Sequence, residues 1–108
     1  MSGMDERRKG MDAKLEHDSE LRFKVNNRRN KLLGLWLAEQ FGLAGDEAAE
    51  YAKSVVLSDF EEPGDDDVLR KVMADIGARS LPIEEATVRS KMHDLLETAH
   101  DQVVTETD

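Results

Sequence analysis

The chain contains no cysteine, two prolines, one tryptophan and one tyrosine. Without cysteine, it has neither disulfide bonds nor thiolate chemistry, which suits a reducing compartment. No basic stretch followed by an apolar one resembles a signal peptide. The longest apolar run, around residues 32–38, is too short to cross a bilayer. We therefore expect a soluble cytoplasmic protein that is not inserted in a membrane.

Basic residues are outnumbered by acidic residues overall but are concentrated near the N-terminus. The net charge is −9, with +3 on residues 1–31 and −12 on residues 32–108. The acidic part would repel nucleic-acid phosphates, so we expect no nucleic-acid partner. A basic segment on an acidic body is typical of a protein whose partner carries complementary patches.

The sequence offers no convincing catalytic or metal site. It has no glycine-rich phosphate loop, and no nucleophile with its base can be assembled. An EF-hand counted from Asp65 would need Glu at its twelfth position, which is Ile76. His93, Glu97 and His100 are spaced to share a helical face, but they lack a further ligand. We expect no enzyme, no metal and no required cofactor.

Hydrophobic periodicity predicts an all-α four-helix bundle over residues 19–104, followed by a disordered tail at 105–108. Gly42, Pro63 and Gly77–Pro82 mark the breaks between helices. Each predicted helix has one apolar face, which includes Trp36 in the first helix and Ala49 in the second. The predicted helices span residues 19–41, 46–60, 66–78 and 83–103.

Polar residues at the predicted helix starts are good candidates for N-caps. Ser19 or Asp18 would cap the first helix, Asp46 the second, and the acids at 65–67 the third. Gly42 is a natural stop for the first helix.

Residues 1–18 differ from the rest and form a predicted arm. Met4, Met11 and Leu15 are its only large apolar side chains after Met1, and they are spaced to lie on one helical face. So few apolar residues cannot hold a helix alone in water, so we expect the arm to order only on a partner. His17, where the arm meets the bundle, titrates near neutrality and is a candidate hinge switch.

Several segments are distinctive, in order along the chain: ELRFK at 20–24, RRNKLLGLW at 28–36 and the acidic stretch DFEEPGDDDV at 59–68. These segments resemble the zeta-type inhibitor subunit of the alphaproteobacterial F-type ATP synthase. Shorter matches lie at 51–53, 55–56, 91–92 and 95–96. The resemblance covers nearly the whole chain.

The resemblance implies a regulatory inhibitor with a mobile N-terminal arm. The arm would fold into an interface between the catalytic alpha and beta subunits, reach toward gamma, and block rotation in the hydrolytic direction. The protein would be cytoplasmic, held near the inner membrane by the synthase, and monomeric when free. The arm residues implied in inhibition are Met4, Asp5, Arg7, Met11, Lys14, Leu15 and His17.

The family usually has bulkier aromatic residues at positions 4, 11 and 15, and a better helix former at Gly10. These differences should weaken helix formation and anchoring by about 1 kcal/mol or more.

Two other functions remain open at this point. The first is a nucleotide-sensing module with weak ADP or ATP binding, and the second is an adaptor for some other protein complex. Five cations are candidate docking or nucleotide contacts: Arg22, Lys24, Arg28, Arg29 and Lys31.

Overall fold

A computed structural model describes the backbone of residues 2–60 and 65–107, and the side chains of residues 20–59 and 65–106. These residues form four α-helices and one 3-10 turn, with no strand among them, which confirms the all-α prediction. The helices are α1 (Ser2–Gln40), α2 (Asp46–Leu57), α3 (Asp66–Ala78) and α4 (Glu85–Thr107), with the 3-10 turn at Ser58–Phe60.

Helix α1 is the centre of the bundle, because α2 and α4 both pack along it. Its row of residues spaced by four, Val25, Arg29, Leu33 and Leu37, is buried from end to end. This spacing places successive side chains on one helical face. Nine buried residues form the main core: Leu33, Leu37, Val55, Val68, Leu69, Val72, Ile76, Val88 and Met92. A smaller core of Val25, Ala99 and Val103 joins α1 to the end of α4.

Two glycines shape the start of the bundle. Gly34 lies at the crossing of α1 and α2, where a Cβ added to it would be 2.5 Å from the Cα of Ala52. Gly42 has φ of +77°, and the amide of Leu43 donates to the carbonyl of Ala38 at 2.8 Å. That geometry closes a helix in the left-handed conformation that glycine adopts easily. The prediction that α1 stops at Gly42 is therefore confirmed.

The ends of α1, α2 and α4 differ from the prediction. Helix α2 ends at Leu57, and the rest of the predicted span 46–60 is the 3-10 turn. Helix α1 begins at Ser2, so no helix start lies at Ser19 or Asp18. Helix α4 begins at Glu85, two residues after the predicted start at position 83, and continues to Thr107. The predicted disordered tail at residues 105–108 is therefore wrong for 105–107, and Asp108 lies outside the described residues.

Neither of the two other predicted caps forms as expected. Gly45, with φ of 59°, precedes α2 in place of Asp46, and no side chain caps that helix. Asp65 does precede α3, but its side chain makes no capping hydrogen bond. Its carboxylate forms an ion pair with α1 instead.

Two apolar predictions also need correction. Ala49 is exposed, because the buried face of α2 turns toward Ala52 and Val55. Trp36 is only partly buried against the core, with the Lys91 ammonium 5.3 Å from its ring centroid. A tryptophan at the edge of a core keeps part of its ring in water.

Helix α3 is tied to the first two helices by an aromatic and ionic cluster. Tyr51 of α2 packs edge-on against Phe41, with ring centroids 5.1 Å apart, and donates to Asp75 Oδ2 at 2.8 Å. Lys71 pairs with the same Oδ2 at 2.8 Å. Burial, followed by the hydrogen bond to Asp75, raises the pKa of Tyr51, so the phenol stays protonated.

In the part of the chain that the structure describes, no helix combines the length and apolar character needed to cross a bilayer.

Candidate functional site

Two of the sequence segments that carry the resemblance, 28–36 and 59–68, meet in a polar network that joins α1 to the connection between α2 and α3. Arg29 Nε donates to Asn30 Oδ1 at 2.7 Å, and Arg29 Nη2 pairs with Asp65 Oδ1 at 2.7 Å. Asn30 Nδ2 donates to Asp59 Oδ2 at 3.0 Å. Arg29 and Asn30 are buried, so each polar atom needs a partner inside the protein. Asp65 is thus an ion-pair partner of α1 rather than a side-chain cap.

This network holds more carboxylates than cations. Asp67 is buried beside it, pairs with Arg70 at 3.3 Å, and has a buried Oδ2 with no hydrogen-bond partner among the described residues. Burial raises the pKa of Asp59; the Asn30 hydrogen bond and the Arg29 charge oppose this, and the charges of Asp65 and Asp67 add to it. The burial of Asp59, with two further carboxylates near it, therefore disfavours its ionised form.

A second polar interaction joins α1 to the C-terminal end of α4. Arg28 binds Glu106 of α4 through two contacts of 2.7 and 2.6 Å, and its Nη1 also donates to Gln102 at 2.8 Å. The hydrogen bond from Arg28 is the main cause that lowers the pKa of Glu106, and the charge of Lys31 acts in the same direction. This bidentate pair attaches the last turn of α4 to α1.

Beside this pair lies an open groove of about 610 Å³ between α1, α2 and α4. Lys24 and Lys31 are exposed along it, and Arg28 lies between them. Three of the five predicted cations therefore come together here. This grouping follows from their spacing of four and three residues along α1.

The other two predicted cations lie elsewhere. Arg29 is 2% exposed and is held by Asp65, so grouping it with the surface cations was wrong. Arg22 lines a different groove of about 640 Å³, between α1 and α4. The same groove includes His93, Glu97 and His100, and the described residues offer no group of three side chains placed to hold a metal.

The residues implied in inhibition by the arm are Met4, Asp5, Arg7, Met11, Lys14, Leu15 and His17. Their backbone belongs to α1, but their side chains lie outside the described residues. Their roles remain predictions.

Sequence reasoning missed the polar partners Asn30 and Asp59, and the pairing of Arg28 with Glu106. The sequence did contain a signal that Arg29 is buried and therefore needs polar partners. Arg29 lies four residues from both Val25 and Leu33 and so shares their buried face. The pairing with Glu106 joins residues 78 apart in sequence, and no local pattern shows it.

A family model described as ATPase inhibitor subunit zeta matches residues 1–102. The chain belongs to this family. The zeta family is named as an inhibitor subunit, so a regulatory role in ATP hydrolysis follows for the chain. The match includes residues 20–24, 28–36 and 59–68, on which the resemblance rested.

A solved structure supports the same assignment. It is a solution NMR structure of a protein 48% identical to the chain, with a TM-score of 0.72. The alignment covers 80% of this chain and 98% of that one. A search of curated proteins found no match. The fold of this zeta-family member therefore agrees with that of a relative at substantial identity.

Proposed function

We propose that this zeta-family protein inhibits ATP hydrolysis by the F-type ATP synthase by inserting its arm, residues 1–18, between an alpha and a beta subunit. The inserted arm reaches toward gamma and blocks rotation in the hydrolytic direction. The observation that carries the proposal is the family match, which runs from residue 1 through 102 and so includes both arm and bundle. Binding to the synthase would keep the protein at the cytoplasmic side of the inner membrane.

The charge distribution supports a separation of roles within the chain. Residues 1–31 carry +3 and the remainder −12, so an acidic entrance on the synthase would attract the N-terminus first. Met4, Met11 and Leu15 would then provide apolar anchors on one helical face. The bundle supplies the contacts that offset the free energy of ordering and immobilising the arm.

The backbone shows how the arm is joined to the bundle. Helix α1 runs without interruption from Ser2 to Gln40, so the arm continues directly into the central helix of the bundle. Because no loop intervenes, a rigid bundle would hold the inserted segment in place through this one helix.

The proposal is tested by measuring ATP hydrolysis by the purified catalytic head of the host's synthase. We expect the full chain to inhibit, and a chain starting at Ser19 to lose inhibition while circular dichroism shows that its bundle is folded. A chain starting at Ser19 lacks the first part of α1. Lys14→Glu in the full chain is a milder change that tests the same arm. Arg89→Glu is its matched control, since Arg89 is an exposed helical cation whose ion-pair partner among the described residues is Glu85.

Two results would contradict the proposal. If the chain starting at Ser19 inhibits as well as the full chain, the arm is not the inhibitory element. If neither inhibits although both are folded, the synthase head is not the target of this protein.

Adenine-nucleotide binding is a second candidate, favoured by the groove that Lys24, Arg28 and Lys31 line. Side-chain cations could bind phosphate oxygens there, although Arg28 already forms an ion pair with Glu106. Titration of ATP into labelled protein should then shift the amide signals around Lys24 and Lys31. Lys24→Glu should remove those shifts, while Arg89→Glu should leave them. Absence of shifts at millimolar ATP would exclude this candidate.

A further inference from the structure

The groove beside Arg28 continues into a second one along the junction of α1 and α2. This second groove, of about 290 Å³, has Leu35 and Ala49 on its sides. The two grooves share Lys31 and Val56, so they form one surface. We call this surface the basic seam and define it by Lys24, Lys31, Leu35, Ala49, Lys53 and Val56.

The basic seam carries three lysines on an otherwise acidic protein. Lys24, Lys31 and Lys53 are exposed, and none forms an ion pair with a described residue. The one carboxylate that lines either groove is Glu106, which Arg28 already binds at 2.6 Å. On a chain with a net charge of −9, three neighbouring unpaired lysines are a local reversal of sign.

The spacing of the seam fits a helix as its occupant. On α1 the residues at 24, 28, 31 and 35 follow the four-three repeat, and on α2 those at 49, 53 and 56 do the same. Two adjacent helices with this repeat leave a groove into which a third helix packs its own ridge. From Lys24 to Leu35 the distance along α1 is about 16 Å, or three helical turns.

The basic seam also has apolar lining residues. Leu35 is 37% exposed, although the other leucines nearest it in α1, Leu33 and Leu37, are fully buried. Ala49 and Val56 lie opposite it on α2. A phosphate group or a nucleic-acid backbone would use the lysines but leave these apolar side chains in water, so charge alone does not account for the surface.

We propose that the basic seam binds an acidic amphipathic helix of the catalytic head, whose apolar residues cover Leu35 and Val56 and whose carboxylates meet Lys31 and Lys53. This interaction rests on the proposed function for the identity of the partner, and it adds a second attachment beside the arm. Since the seam and the arm belong to the same helix α1, binding at the seam raises the effective concentration of the arm at its target. The seam thus sets affinity, and the arm performs the inhibition.

The test measures the full chain against the catalytic head in two ways, as binding affinity and as inhibition of ATP hydrolysis over a range of inhibitor concentrations. The test variants are Lys53→Glu and the double variant Lys31→Glu with Lys53→Glu. Arg89→Glu is the matched control for Lys53→Glu, because both are exposed cations within a helix. Urea unfolding verifies that each variant is folded before it is assayed.

We expect the double variant to need about tenfold more protein for half-inhibition, while inhibition at saturation stays unchanged. Lys53→Glu alone should show part of this effect, and Arg89→Glu should match the native protein. A double variant that binds and inhibits like the native protein overturns the seam and leaves the proposed function intact. A native protein that neither binds nor inhibits overturns the proposed function and the seam with it.

Discussion

Gly34 and Ala52 face each other where α1 crosses α2, and a Cβ on Gly34 would come within 2.5 Å of the Ala52 Cα and 3.2 Å of Val55 Cγ2. The atom that such a Cβ meets first is backbone, which cannot rotate away. Because Gly34 has no side chain, the two helices approach closely here and bring Leu33 and Val55 into one core. A glycine that weakens its own helix is therefore needed for the packing of two helices.

The first prediction is that Gly34→Ala destabilises the protein, although alanine favours helix. Overpacking a tight contact costs about 1–3 kcal/mol, whereas the gain in helix propensity is about 1 kcal/mol. The free energy of unfolding, measured in urea, should therefore fall. Gly77→Ala is the matched control, because Gly77 is also helical but has nothing within 4 Å of its added Cβ.

Gly77→Ala should raise the free energy of unfolding by about 0.5–1 kcal/mol. If Gly34→Ala stabilises to the same extent, the close crossing of α1 and α2 does not exist in solution.

The second prediction concerns the buried cation of the polar network. Arg29→Met keeps much of the side-chain volume but removes the donors to Asn30 and Asp65. We expect a loss of about 2 kcal/mol, below the value for a fully buried pair because the Asp65 side chain is 58% exposed. Arg28→Met is the control and should cost less, since its partner Glu106 lies at the surface. Equal losses in urea unfolding would argue against the special role of Arg29.

The third prediction is a pH dependence that originates in Asp59. Burial raises the pKa of Asp59 in the folded state above its unfolded value. The folded state therefore binds this proton more tightly, and the contribution of Asp59 to stability is lost as the pH rises through its raised pKa. Asp59→Asn should then be more stable than the native protein at pH values above that raised pKa, since an amide oxygen still accepts from Asn30.

The advantage of Asp59→Asn should shrink as the pH is lowered through the raised pKa, because the native carboxyl becomes protonated. Unfolding midpoints in urea measured over a pH series would show this convergence. Asp94→Asn, an exposed change on α4, controls for the loss of one negative charge. A constant difference at every pH would contradict the prediction.

The fourth prediction concerns Ser80, the described non-glycine residue with positive φ, at 54°. The amide of Leu81 donates to the carbonyl of Ile76 at 3.2 Å, so Ser80 occupies the helix-closing position that glycine favours. Ser80→Gly should raise the free energy of unfolding by about 1 kcal/mol. Ser90→Gly, within α4, should instead lower it by about 0.5 kcal/mol. A loss of stability in Ser80→Gly would show that the serine side chain contributes more than its strained backbone costs.

Much of the fold could be predicted because local signals specify helices. The apolar repeat from Val68 to Ile76 predicts α3 at residues 66–78, which are its observed bounds, and Gly42 predicts the stop of α1. The end of α4 could not be predicted, because Val103–Thr107 is held partly by a pairing with Arg28 on a helix far away in sequence. Local propensity alone made this segment look frayed.

The candidate site was predicted only in part, for a related reason. Arg28 and Arg29 are adjacent and chemically identical, but a helical turn of about 100° per residue directs them to different environments. Arg28 faces the surface groove, and Arg29 enters the protein to meet Asp65. The burial of Arg29 depends on carboxylates from a distant loop, so composition and charge runs could not separate it from its neighbour.

The position of Trp36 gives this protein an internal optical reporter. It is the one tryptophan of the chain, and it lies half-buried on α1 beside Lys91 of α4. Its emission spectrum therefore reports on a single junction, that between α1 and α4, rather than on an average over the molecule. If the bundle stays rigid when the protein docks, this emission should change little; if α4 separates from α1, the spectrum should shift to longer wavelength as the indole meets water.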